Sequence, residues 1–503
     1  MKEKNLPGVQ RPRLAATPAK QARPSLPWTT LEQQVVRVQK QIAQASQRGD
    51  SLAVHALQQH LLESEAARLL AVHRVAGENQ GKDTAGVDGI RSLTLKEQLT
   101  MAATIHPRHW QSQPSLPVRR VWIAKPGTDE RRPLGILPMI DRCKQALVKL
   151  ALEPEWEVRF EHQSYGFRPG RSVHDAIASL LVALKHRSLF VFNADIEEAF
   201  DHINQAVILD KLQTYPALRQ QITAWFSAGV IDGKRYLPSD TGIAQGGVLS
   251  PLLMNIALHG MEEVVTTGTA NRQSREQPLL VRYADNFLVL HSDLNELQQG
   301  VKRVEPWLAR MGFHLHPDKT RISHTLIPYQ GAVGFDFLGF ALHQEADDMK
   351  FRWHQRSGAS RASHPLPSSA QMSPLKVKTI ISPSQEASKR HQAAIDQRLQ
   401  RVQNATQAQV IAELNPLIIG WATYYTGIVS AEIMSRYDDV LTQRLLQWAG
   451  CRHPGKTQDW LFAHYWHQEK KNGRSFATPD GKQLRRYQHM SILDGSNWER
   501  HLE

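Results

Sequence analysis

The sequence predicts an α/β (α+β) protein in which a mixed central region lies between helical segments. Three observations carry that prediction. Apolar residues recur at helical spacing near the N-terminus, short β-rich runs alternate with helical ones through the middle, and helical spacing returns before the last fifty residues. In chain order, residues 1–27 are basic and broken by Pro7, Pro12, Pro18, Pro24 and Pro27, and read as a disordered tail. From Leu31 to Ala76, the spacing of Leu31, Val35, Val38 and Ile42, then Leu57, Leu61, Leu69 and Leu70, predicts two amphipathic helices separated at Gly49-Asp50. Gly81 to Ile90 is loop chemistry, dense in Gly and Asp. Pro117 to Leu342 is the mixed region. Residues 343–385 turn polar and patternless and predict a loop insertion or linker. Glu386 to Cys451 is helical on Leu399, Val402, Val410, Leu414, Leu441, Leu445 and Leu446, and 452–503 is polar and aromatic with a basic cluster at Lys470, Lys471, Arg474, Lys482, Arg485 and Arg486.

Composition narrows the function classes. The 503 residues carry a formal net charge of +13, which suits a polyanionic partner, nucleic acid first. No run approaches the ~18 consecutive apolar residues of a membrane span, and the basic N-terminus has no apolar core of a secretory signal, so a cytoplasmic protein is expected. Two cysteines, Cys143 and Cys451, exclude a disulfide scaffold and a zinc site built on paired CxxC. The 23 histidines fall without HExxH spacing and receive no site.

Two carboxylates sit where strands end. Leu189 to Asp195 (LFVFNAD) reads as a buried strand delivering Asp195 at its C-terminal end. Leu280 to Leu290 (LVRYADNFLVL) has β-rich arms around a tight Ala-Asp-Asn centre, a hairpin signal. Two such ends brought together would hold Asp195 and Asp285 in one electronegative pocket of hard oxygen ligands, which suits Mg²⁺. The alternative is ordinary hairpin chemistry, because Asp and Asn both tolerate positive φ.

The neighbours of these aspartates decide between the two. Asp195-Ile196-Glu197-Glu198-Ala199-Phe200-Asp201 followed by Tyr283-Ala284-Asp285-Asn286 resembles the two metal-binding motifs of reverse transcriptases. Between them, Gly242 to Pro251 (GIAQGGVLSP) is similar to the family's Gln-Gly nucleotide-binding loop. Arg132 to Ile136 and Ser164 to Ser172 (SYGFRPGRS) resemble the fingers of the group II intron branch, Pro317 to Thr320 and Gly334 to Gly339 its later blocks, and Leu414 to Trp421 its maturase, or thumb, segment. The motifs are collinear over roughly residues 31–450.

The resemblance implies a right hand: an N-terminal helical extension and fingers over 28–185, a palm over 186–342, the insertion over 343–385, and a helical thumb with maturase function over 386–451. Residues 452–503 would then be a basic C-terminal region, a candidate DNA- or RNA-binding remnant. It implies Asp195, Asp285 and the Ile196 carbonyl as ligands of two Mg²⁺ ions (Mn²⁺ as a substitute), with Asn286 as the third member of the catalytic group. Lys125 and Arg132 would hold the triphosphate, Gln245 and Gly246 would lie beside the incoming nucleotide, and Phe200 would sit under its sugar and exclude a 2′-hydroxyl. Phe200 is equally readable as a core aromatic, and Lys125 as part of a solvated basic turn. Ser250-Pro251 reads as an N-cap with Pro at the first helical position. Arg168, Arg171, Lys319, Leu338 and Gly339 are expected to contact nucleic acid.

Departures from the family's pattern matter. Asn286 stands where the family usually has a second Asp, which removes one charge from the pocket. Ala244 replaces a usual Pro before Gln245. Many relatives carry a C-terminal HNH endonuclease, whereas this sequence ends at Glu503 with Cys451 alone in that half, so that domain is not expected. The leading expectation is a group II intron-encoded protein that binds intron RNA, assists splicing and extends a DNA primer along RNA from deoxynucleoside triphosphates, with reduced activity as one consequence of Asn286. The alternatives are an RNA-binding maturase with a vestigial polymerase site and, behind it, a reverse transcriptase recruited to another duty such as antiphage defence.

Overall fold

Gly49, at φ +70°, and Asp50, whose carboxylate accepts from the Ala53 amide, end the first helix and start the second where the sequence predicts the break. Ser64 then adopts an extended conformation (φ −64°, ψ 128°) and divides the second predicted helix, so the segment is three helices, Trp28–Gln47, Ser51–Glu63 and Glu65–His73. The computed structural model describes residues 26–78, 84–124, 130–267, 276–346, 377–469 and 473–490. The basic tail reading therefore falls outside the described residues except at 26 and 27, as do Lys125, Lys470 and Lys471.

The first strands in chain order are β1 (Val118–Ala124), β2 (Arg131–Ile136), β3 (Phe190–Asp195), β4 (Val230–Asp232) and β5 (Arg235–Leu237). They are followed by β6 (Leu279–Tyr283), β7 (Asn286–His291), β8 (Arg321–His324), β9 (Phe335–Phe337), β10 (Phe340–Ala346) and β11 (Val377–Pro383). One sheet has the order β2-β1-β4-β5 and joins two strands of the interval expected as fingers to two, β4 and β5, from the interval expected as palm; a second, β6-β7-β3-β8, lies wholly within the latter and is referred to as the palm sheet. In the palm the near-continuous apolar runs are explained by cores on both faces. Phe192, Ala194, Leu280, Phe287 and Val289 join a core with the N-terminal helices and helix Met139–Arg159. The alternating residues Val191, Val281, Leu288 and Leu290 join a second core with helix Val173–Leu184 and the C-terminal helices. Period-two side-chain alternation thus makes one sheet the wall between two cores.

The interval read as a patternless insertion is narrower than the sequence suggests. Residues 343–346 continue β10, and β11 returns antiparallel to it with Leu342 opposite Ile381. The apolar side of that ladder is sparse and its outer residues polar, which hides the strand pattern. Three helices follow, Gln385–Arg401, Gln407–Tyr425 and Ala431–Arg452. The described part of 452–503 folds onto them: helix Gln458–Tyr465 leads into a hairpin, and Trp466, Phe476 and Tyr487 are buried in the same core as Leu414 and Leu445. No helix among the described residues is long and apolar enough to cross a membrane.

Candidate active site

Strand register brings the two predicted carboxylates together. Asp195, the last residue of β3, lies opposite Asn286, the first of β7, and Tyr283 at the end of β6 also lies opposite Asn286. The hairpin turn is Ala284-Asp285, within the Ala-Asp-Asn centre the sequence suggests. Ala284, at φ +56°, takes the left-handed conformation, while Asn286 is already in strand. A Cβ in that conformation costs on the order of 1 kcal/mol or more, so the surroundings must hold the turn. They do so on the other side of the pocket too. The Ile196 amide donates to the Asp285 carbonyl (3.2 Å), the Glu197 amide to the His314 carbonyl (2.9 Å) and the His316 amide to the Asp195 carbonyl (2.8 Å).

The electrostatics are those of two carboxylates sharing one cation. Lys319 Nζ donates to Asp195 Oδ2 at 2.7 Å, with its side chain more than half exposed. Burial, and next the neighbouring Asp195 charge, push the Asp285 carboxyl above its ordinary value, while the Asn286 amide and Lys319 act the other way. Lys319 loses some basicity to burial but is raised above its ordinary value by Asp195 and Asp285. Asn286 Nδ2 donates to Asp285 Oδ1 at 3.4 Å, so a group that would repel Asp285 if it were an aspartate supports its ionised form instead. Lys319, expected to contact nucleic acid, belongs to this pocket.

The Gln-Gly loop is fastened to the fingers. The Gly135 amide of β2 donates to the Gln245 carbonyl at 2.6 Å. Gly246 holds φ +102°, a left-handed conformation that favours glycine, and a Cβ there would also crowd the Gly135 carbonyl at 3.1 Å. Ser250 does not cap the helix Ser250–Leu258: its Oγ donates to the Ala244 carbonyl (2.7 Å), and Gln145 Oε1 receives the Leu249 amide (3.3 Å) in its place. The hydroxyl is spent on closing the loop that lacks the family's proline. Phe200 is half-buried, edge-on to Phe167 at 6.4 Å, and its carbonyl receives the Ile243 amide (2.7 Å), which puts it against the same loop. Arg132 is exposed on β2 opposite Ile123. Behind the loop a cavity of about 270 Å³ is lined by Arg120, Asp141, Asp201, Trp225 and Gln245 among others; neither Asp195 nor Asp285 lines it.

The expected nucleic-acid contacts divide. Arg168 is buried, its side chain 4% exposed, and its guanidinium is consumed by Glu157 (3.0 Å) and by the carbonyls of Glu161 (2.8 Å) and Ser164 (2.6 Å). Its charge is internal, and the expected phosphate contact is withdrawn. Arg171 is half-buried over the Tyr165 ring. Leu338 and Gly339 both have positive φ, and their carbonyls accept from the hydroxyls of Tyr424 (2.8 Å) and Tyr425 (2.9 Å), which ties this turn to the thumb helix.

A group that sequence reasoning missed lies under the hairpin. Arg282, the one charge in the apolar run of β6, is fully buried, and Nη1 donates to Asn255 Oδ1 (2.8 Å) and to the Ala284 carbonyl (3.2 Å). Asn255 Nδ2 donates to the Gly166 carbonyl (2.8 Å), and a Cβ on Gly166 would collide with the Ala284 backbone nitrogen. Glu161 Oε2 stands 3.9 Å from Arg282 Nη2 and 3.1 Å from His259 Nδ1. Burial alone would raise the Glu161 carboxyl, but His259 and Arg282 bring it down to about 2. A lone charge inside a buried strand run is the signal that could have marked Arg282.

Comparison with known proteins agrees with this geometry. Residues 123–342 match the family described as reverse transcriptase (RNA-dependent DNA polymerase), 24–105 the N-terminal domain of reverse transcriptase, and 388–466 the group II intron maturase-specific domain. The chain is 28% identical to protein YkfC of Escherichia coli over 61% of its own length and 88% of that protein's. It is 31% identical to the group II intron-encoded protein LtrA of Lactococcus lactis over 45% of its length and 38% of LtrA, and 24% identical to maturase-like protein 1 of Euglena gracilis over 62% and 64%. The alignment thus spans well under half of LtrA. Between the N-terminal domain of reverse transcriptase and a group II intron maturase-specific domain, the chain therefore carries a reverse transcriptase (RNA-dependent DNA polymerase) domain. Such a domain is of a metal-dependent type, and intron RNA and nucleic-acid substrates are its class of partner.

Proposed function

We propose that this protein extends a DNA primer along an RNA template from deoxynucleoside triphosphates, and that its maturase domain binds a group II intron RNA and assists splicing as an intracellular ribonucleoprotein. The observation that carries the polymerase reading is the register of β3 against the β6–β7 hairpin, which sets Asp195 beside the Ala284-Asp285 turn, with Lys319 paired to Asp195. Two carboxylates and the Ile196 backbone are hard oxygen donors. Among the described residues no cluster of three or more His, Cys, Asp or Glu forms, so an ion held here would complete its shell from phosphate and water oxygens, as Mg²⁺ prefers. Two such ions, when bound, would lower the barrier to attack by a primer 3′-hydroxyl and stabilise the leaving pyrophosphate.

The remaining work falls to the chain's own side chains. Asp195 and Asp285 hold negative charge at the strand ends. The Asn286 amide favours the ionised form of Asp285 by donating to it, at the cost of one fewer charge for binding cations. Phe200, against the Gln-Gly loop, is suited to sit beneath the sugar and meet a 2′-hydroxyl, and Gln245 and Gly246 to lie along the incoming nucleotide. Arg132 is exposed and offers a planar fork for phosphate oxygens, and Lys125 is assigned to the same triphosphate.

Asn286 favours the second reading, an RNA-binding maturase whose polymerase site is vestigial. Primer extension on RNA separates the two, run with Mg²⁺ and with Mn²⁺ for wild type and Asn286→Asp. Extension by wild type, in either metal, supports the polymerase. Extension by Asn286→Asp alone would mean that one lost charge has silenced the site and would transfer the function to splicing.

A further inference from the structure

Arg282 has no role in the chemistry assigned to the pocket, yet its burial is complete and its bonds converge on the catalytic turn. Its side chain leaves β6 on the face shared with Leu280 and Phe287, opposite to the face on which Asp195 and Asn286 lie. From there Nη1 reaches forward two residues to the Ala284 carbonyl, the peptide group that joins Ala284 to Asp285. The same nitrogen donates to Asn255 on helix Ser250–Leu258, which begins at the Gln-Gly loop, and Asn255 donates onward to Gly166 of the fingers segment. Gly166 presses against the turn from the other side, and Tyr165 and Gln163 bond the β6 backbone at Arg282 (both 2.9 Å). The turn preceding Asp285 is therefore gripped by one side chain that also touches the elements carrying the nucleotide loop and the fingers.

We propose that Arg282 is a positioning residue for nucleotidyl transfer: by fixing the Ala284 carbonyl it holds the left-handed turn, and so aims the Asp285 carboxylate, while Glu161 balances its buried charge. This rests on the polymerase reading above. Bonds to the partners of a metal ligand set how the ligand is oriented, and their loss costs about 10- to 100-fold in metal affinity or activity.

The test uses the full chain with Arg282→Met, Arg282→Lys and the double variant Arg282→Met with Glu161→Gln, beside wild type and Asp285→Ala. Single-nucleotide extension gives kcat, the KM for the deoxynucleotide and the Mg²⁺ needed for half-maximal rate; thermal unfolding gives Tm; electron paramagnetic resonance of free Mn²⁺ gives uptake without catalysis. The double variant removes both buried charges together, so its Tm is expected to recover relative to Arg282→Met. Its kcat should stay about 10- to 100-fold below wild type and its half-maximal Mg²⁺ and Mn²⁺ concentrations should rise, with the nucleotide KM little changed. Arg282→Lys, which keeps a donor and a charge, should regain part of the activity. A double variant that recovers kcat and Mn²⁺ affinity together with Tm would overturn the proposal, because the arginine would then matter only for stability. A wild type that takes up Mn²⁺ at Asp285 without extending primer would defeat the polymerase reading, and the Mn²⁺ affinities of the variants would still decide the role of Arg282. Wild type that neither extends nor takes up Mn²⁺ overturns both.

Discussion

The two faces of the palm sheet hold charge in opposite ways. On one, Asp195 at a strand end and Asp285 in the adjoining turn meet with one lysine, more than half exposed, as their cation among the described residues, and Asp285 is pushed toward protonation by burial and by Asp195. On the other, Arg282, Asn255, Glu161 and His259 form a buried network in which an arginine and a glutamate balance one another. The first arrangement leaves negative charge unneutralised, which disfavours the empty site and favours a cation. The second keeps its charges in place because an unpaired one there would be very costly. A polymerase site needs both, ligands with charge to spare and a rigid support that has none.

The sharpest way to break that contrast is on the open face. Asp285→Ala should cut primer extension by at least about a thousand-fold, since several kcal/mol of charge stabilisation are lost with the ion it holds, while Tm hardly falls or even rises. On the buried face the effects should reverse. Arg282→Met is expected to lower unfolding stability by up to about 3–5 kcal/mol by leaving the buried Glu161 with His259 alone of its two charged partners and taking the donor from Asn255 and the Ala284 carbonyl, read as a shift in the denaturant midpoint. The network also fixes a direction with pH. The folded-state value of Glu161 is about 2, below its ordinary 4.5. Its stabilisation is therefore complete above the ordinary value and lost as pH falls from there toward the folded one. An acid-unfolding series should show wild type losing stability over that window and Glu161→Gln showing a shallower loss.

Smaller effects refine the picture. Ala284→Gly should relieve the left-handed turn and stabilise by up to about 1 kcal/mol, measured by unfolding, and a turn held at no strain would show no gain. Lys319→Met should change stability by less than about 1 kcal/mol, because the lysine side chain is more than half exposed, yet it should alter the metal concentration at half-maximal rate. A large stability loss would mean that Lys319 is structural.

The sequence made the open face legible and left the closed one unread. Asp195, Phe200, Gln245 and Asp285 stand in spaced motifs, and the strands carrying them announce themselves as apolar runs. Arg282 lies in one of those runs, but nothing local tells that its partners are Asn255, 27 residues back, and Glu161, in a segment before the palm. Arg168 shows the reverse error. An arginine in a Gly- and Pro-rich loop reads as surface charge, and only the fold shows Glu157 and two carbonyls wrapped around it. Within the Ala-Asp-Asn centre, composition points to Asp or Asn for the positive φ, whereas it falls on Ala284, which contacts from Gly166 and Arg282 hold there. Strands β10 and β11 escaped notice because their apolar residues are few and 30 residues separate them.

The most direct test of the central claim is single-nucleotide extension of a DNA primer on an RNA template by the full chain in Mg²⁺, with Asp285→Ala alongside. Extension by wild type that disappears in the variant, with Tm preserved, is the predicted result. Equal extension by both proteins, or none by wild type in either Mg²⁺ or Mn²⁺, would contradict it.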